Sequence, residues 1–125
     1  MAETVPNEAR ETLRIELHPT PEQLEVRVAG PMDMASRRLL RAVVDGALTR
    51  VRDRRLLIDL RGVDLMDSAG LSELIETLLR CDEASVTWAV IPSPAVERLL
   101  LLVGVGRRRS DQSGSWLAGG GYGDD

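Results

Sequence analysis

LLIDLRGVDLMDSAGLSELIETLLRC, residues 56–81, decides the reading of this chain. Leu56 to Leu60 are apolar apart from Asp59, as in a sheet strand covered on both sides. Downstream, Leu71, Leu74, Ile75, Leu78 and Leu79 recur at i, i+3, i+4, i+7 and i+8, the spacing of one helix face. Between them stands Leu65-Met66-Asp67-Ser68-Ala69-Gly70-Leu71, a polar turn with Ser68 at its centre. Ser68 is therefore expected where a strand hands over to a helix. Serine or aspartate there caps the unsatisfied N–H groups of the first helical turn. The same place, at the carboxyl end of a strand, is also where α/β folds hold ligands, and the helix dipole favours an attached phosphate.

Upstream, Leu13, Ile15 and Leu17 alternate with Arg14, Glu16 and His18, and Leu24, Val26 and Val28 repeat the pattern after a proline-bearing break. Two paired strands are expected, the second closed by Gly30 and Pro31. Asp33 follows as a cap or first-turn acid of a helix with apolar positions at Ala35, Leu39, Leu40, Val43, Val44, Ala47, Leu48 and Val51. Its arginines 37, 38, 41, 50 and 52 are expected on the solvated outer face. "VTWAVI" (86–91) reads as a strand, and "SPAVERLLLLVG" (93–104) as a helix with Pro94 in its first turn. The order implies an α/β domain, a mixed four- to five-stranded sheet packed against amphipathic helices.

At 125 residues and 43% hydrophobic content, the chain suits one domain with one core. A net charge of −4 and scattered basic residues speak against nucleic acid, and Trp88, Trp116 and Tyr122 are too few for a base-stacking platform. All 16 basic residues are arginine, which excludes chemistry requiring a lysine. The single Cys81 continues the helical apolar side and is expected to be a buried hydrophobe, and Met66 is expected in the core below the loop. No His/Cys cluster and no cofactor motif is present, and no signal peptide or long apolar span, so a reducing cytoplasm without membrane attachment is expected.

Two enzyme-like readings fail on residues. A nucleophile elbow G-x-S-x-G needs a glycine where Met66 stands, and the sole histidine, His18, lies on the exposed side of the first strand. A phosphate-accepting receiver domain would use Asp59, but requires a lysine the chain lacks.

The stretch 56–81 resembles the signature of STAS domains, above all the bacterial anti-sigma factor antagonists with their D-S-[SAT]-G-L loop. "VRVAGPMDMAS" (26–36) is similar to that family's second strand and G-x-x-D loop, with Gly30 and Asp33 in the matching places. The resemblance covers about residues 12–106, leaving a leader at 1–11 and a glycine-rich tail at 107–125 expected to lack regular structure. It implies a non-enzymatic regulator without cofactor. Ser68 would be phosphorylated by an anti-sigma factor that is also a serine kinase, and a PP2C-type phosphatase would reset it. Asp33 and Asp67 are the flanking acids, and Ala69 and Gly70 complete the loop. Ala69 stands where the family often has Ser or Thr, leaving Ser68 as the loop's only hydroxyl. Because arginines and glycines follow Gly104, the family's last helix is expected to be missing or degenerate. A constitutive STAS subunit, for example of a lipid-transport ABC complex, is the alternative. A STAS tail of an anion transporter is disfavoured by the lack of membrane spans.

Overall fold

The computed structural model describes residues 12–51, 55–102 and, for the backbone alone, 114–116. Eight elements follow in order: β1 (Arg14–Pro19), β2 (Gln23–Met32), α1 (Arg37–Leu48), β3 (Arg55–Met66), α2 (Ser68–Glu83), β4 (Trp88–Pro92), α3 (Pro94–Leu102) and β5 (Gly114–Trp116). The strands lie side by side in sequence order. β1 and β2 are antiparallel, and every later pair is parallel, as expected when a helix carries the chain back between strands. The sheet is thus mixed, with helices between its parallel members.

Period-2 alternation sorts the strand residues by face. Leu24, Val26 and Val28 of β2, Leu56, Ile58 and Leu60 of β3, and Trp88 and Val90 of β4 form one buried cluster with Leu40, Val44 and Ala47 of α1, Leu74, Leu78 and Cys81 of α2, and Val96 and Leu100 of α3. On the opposite face Leu57, Ala89 and Ile91 form a smaller buried group. The apolar run Leu56–Leu60 of β3, interrupted only by Asp59, is thereby explained, since both its faces are buried.

Four sequence expectations need correction. β2 does not close at Gly30 and Pro31. It continues to Met32 through two register shifts, with Gly30 at φ +102°, where a side chain would press on the Thr12 carbonyl. Asp33 does not cap α1: the helix begins at Arg37 with Ser36 in the capping position, and Val51 lies beyond its end at Leu48 while still fully buried. The α2 stripe is rotated, its buried positions being Gly70, Glu73, Leu74, Thr77, Leu78 and Cys81, whereas Leu79 is 52% exposed. The cause is that α2 is flanked by the end of β2 and by α1, so its contact face extends toward both. Finally, the tail contributes a strand: Gly114–Trp116 pairs with Trp88–Val90 of β4. The expected loss of a last helix, the arginines that follow Gly104 and the leader fall outside the described residues.

Candidate functional site

The site is built where β2 and β3 end together. Met32 and Met66 are register partners, so the residues that follow, Asp33 and Asp67, leave the sheet side by side. The Asp67 N–H donates to the Met32 carbonyl at 3.2 Å, extending the pairing by one step. Its side chain then turns back. Oδ1 accepts the Gly70 N–H at 2.9 Å, which makes Asp67 the N-cap of α2, and Oδ2 accepts the Met34 N–H at 3.4 Å. One carboxylate thus starts the helix and ties the β2–α1 loop to it.

Asp33 is half-buried and organises its own loop. Its Oδ1 accepts the Ser36 N–H at 3.1 Å and the Ser36 hydroxyl at 3.1 Å, and the Asp33 N–H donates to Ser36 Oγ at 3.0 Å. The Ser36 hydroxyl also lies 3.0 Å from the Pro31 carbonyl. Asp33 and Gly70 share a narrow crevice with Met32, Ser36 and Arg37 that has no room for a water molecule. The two loops are thus tied together by hydrogen bonds where they meet.

Gly70 is needed where it stands. A Cβ there would lie 2.0 Å from the Met32 carbonyl oxygen, so α2 can begin against β2 only without a side chain. Ser68 is the first residue of α2 and is exposed, and among the described residues its hydroxyl has no hydrogen-bond partner. The plain capping reading of Ser68 is therefore overturned, because Asp67 performs that task. Ala69 beside it is half-exposed. Met34, 70% exposed, and Leu65, 55% exposed, flank the loop as apolar side chains facing water. Ser68, Asp67, Asp33, Ala69 and Gly70 are thus gathered at one end of the molecule, Gly70 as a packing residue beneath the surface.

Other residues occupy structural posts. Asp59 is buried on β3 and held by Arg61, whose Nε and Nη2 donate to its two oxygens at 3.0 and 2.8 Å. That pairing lowers the Asp59 carboxyl below its ordinary range, chiefly through the Arg61 hydrogen bond, and engages both of its oxygens in an ion pair. Cys81 is fully buried and its thiol is pushed up to about 12 by burial, with Asp82 adding to the effect. Met66 is buried as expected. His18 lies 2.9 Å from Glu16 on an exposed strand face. Among the described residues, no group of three or more His, Cys, Asp or Glu side chains could hold a metal ion, and no helix is long and apolar enough to cross a membrane.

Sequence reasoning missed two features. Glu73 is fully buried on α2 and takes Arg41 of α1 through Nη2 to Oε1 at 3.1 Å and Nε to Oε2 at 3.3 Å, with Arg37 and Arg80 within 3.6 and 3.5 Å. Arg37 and Arg41 were expected merely to solvate an outer face. The pairing holds the Arg41 guanidinium above its ordinary value, first through the Glu73 hydrogen bond. A glutamate between two leucine-bearing turns resembles any surface acid in sequence, and only the approach of α1 makes it a buried anchor. Ser93 is likewise buried, donating to the Val63 carbonyl at 2.6 Å and accepting the Val96 N–H at 3.2 Å at the start of α3. Ser93-Pro94 is a cap-and-first-turn pair that could have been read from residue types alone.

Comparison with known proteins identifies the architecture. A family model described as "Mlab, STAS domain" matches residues 15–112. The chain belongs to the STAS domain family. An anti-sigma factor antagonist from Mycobacterium paratuberculosis superposes with a TM-score of 0.67 at 23% identity, covering 76% of this chain and 80% of that one. SpoIIAA of Bacillus, an anti-sigma factor antagonist, in its unphosphorylated form, gives 0.64 at 18% identity, covering 84% and 87%. The murine anion transporter Slc26a9 gives 0.64 at 14% identity, with 82% of this STAS chain matching 20% of that chain. These likenesses establish a shared STAS fold. No curated protein sequence matches the chain.

Proposed function

We propose that this STAS protein is an anti-sigma factor antagonist switched by phosphorylation of Ser68. In this reading the unmodified form binds an anti-sigma factor with serine kinase activity and so releases the sigma factor. The observation that carries the proposal is the idle hydroxyl of Ser68: it is exposed at the first turn of α2, while Asp67 does the capping. The adjoining Met34 and Leu65 supply apolar area for a protein partner. Nothing in the proposal calls for catalysis or a cofactor by this chain, and its place is the bacterial cytoplasm.

Phosphate on Ser68 adds about −1.5 to −2 charge next to Asp67 and near Asp33. Placing that charge within a contact surface costs several kcal/mol, and about 2.7 kcal/mol corresponds to a hundredfold loss of affinity. A PP2C-type phosphatase restores the binding form.

Incubation with the kinase and ATP followed by mass spectrometry tests the reading. Phosphate on Ser68, lost in Ser68→Ala, and kinase binding weakened about a hundredfold by Ser68→Asp are the expected results. An unmodified wild type, or Ser68→Asp binding as tightly as wild type, overturns it. A second reading, a constitutive STAS subunit such as that of a lipid-transport ABC complex, draws on the description of the matching family model. It expects copurification with an ATPase that Ser68→Asp leaves unchanged.

A further inference from the structure

The arginines of α1 are more numerous than the acids that hold them. Glu73 offers one carboxylate to Arg37, Arg41 and Arg80. Glu76 takes a further bond from Arg41, and Asp45 lies 3.2 Å from Arg80 Nε. Arg38 is exposed and has no polar partner among the described residues. Arg37, Arg38 and Arg41 line one open groove with Met34, Ala35 and Glu73. The one acid in its lining, Glu73, is fully buried, and exposed Glu76 is bonded to Arg41; three arginines against these two carboxylates leave the groove positive in a chain whose net charge is −4.

The groove is also prepared. Glu73 braces Arg41 with two hydrogen bonds and Arg37 from 3.6 Å, which fixes side chains that would otherwise lose rotamer freedom on binding. Of Arg41's five N–H donors, the bonds to Glu73 and Glu76 use only those on Nε and Nη2. Nη1 remains for a visitor. The groove adjoins the candidate phosphorylation loop, because Met34, which lines it, donates its N–H to Asp67.

We propose that this groove receives an acidic, carboxylate-bearing segment of the protein partner that covers Ser68. Charge complementarity favours that occupant: Arg38, without a polar partner among the described residues, can take a carboxylate bidentately, Arg37 and Nη1 of Arg41 add further donors, and exposed Met34 offers an apolar lip. The identity of the partner rests on the proposed function, whereas the preference for carboxylates rests on the groove alone.

Titration of the full chain with poly-L-glutamate, followed through arginine Nε–Hε and backbone NMR signals, tests the inference. Shifts confined to Arg37, Arg38, Arg41 and Met34 are expected, weakened about tenfold by Arg38→Glu and by raised salt, and kept in Arg98→Glu on α3. Arg38 has no partner among the described residues, so its replacement leaves the Glu73 anchor in place. Absent shifts, shifts spread equally to Arg98, or tighter binding of poly-uridylate than of poly-L-glutamate at the groove overturn the inference. Failure of a kinase to modify Ser68 would instead overturn the switch and leave this result standing.

Discussion

Each of the three oxygens of Asp67 accepts a hydrogen bond: the backbone carbonyl takes the Leu71 N–H at 2.9 Å, and the carboxylate takes Gly70 and Met34. Ser68 beside it uses none of its hydroxyl's capacity among the described residues. The two residues should therefore separate cleanly in unfolding experiments. Asp67→Ala is expected to lower stability by about 1 kcal/mol, the worth of a lost helix cap, while Ser68→Ala stays within about 0.5 kcal/mol of wild type. Urea denaturation of both variants checks this, and a large loss for Ser68→Ala would contradict the geometry. Gly70→Ala is a third case. Its new Cβ collides with backbone rather than with a flexible side chain, so a loss of about 3 kcal/mol is expected, measured by the same denaturation.

At the scale of the elements, α1 and α2 are joined by charge as well as by leucines. Glu73→Ala should cost about 2 kcal/mol, less than the loss of a fully buried pair because the arginines left behind still reach water. Glu73→Gln, which keeps the shape, should recover part of it, and thermal melts of the two variants compare the contributions. This contact also shows why some of the structure could be read in the sequence and some could not. The β3 strand, the α2 helix and the Asp67-Ser68 turn announce themselves through local periodicity and residue type, which depend on the segment alone. Which face of α2 turns inward depends on where α1 and β2 lie, and so Glu73 and Thr77 are buried while Leu79 is not. The role of Asp33 was missed by three residues: its carboxylate meets Ser36, which stands in the capping position of α1, and does not cap the helix itself. β5 was hidden for another reason: Gly114–Trp116 is too short for a period to show, and only the free edge of β4 makes it a strand.

For the whole molecule, Cys81 reports on integrity. The thiol sits fully buried in the core shared by strands and helices, and burial pushes it from an ordinary 9.0 up to about 12. Its thiolate is thus disfavoured in the folded state. The corresponding stability is complete below 9.0 and is lost as pH rises from there toward about 12. Iodoacetamide at mildly alkaline pH should therefore label Cys81 only as fast as the protein opens globally, and rapid labelling of folded protein would contradict this. The seat of Gly70 on the Met32 carbonyl has a last consequence, for the way a signal could be encoded. With the start of α2 packed against the end of a sheet strand, the proposed mark at Ser68 would act on the surface and not through the interior. A partner would read such a mark as altered potential and occupied space at one spot, and the two forms of the protein would share one backbone.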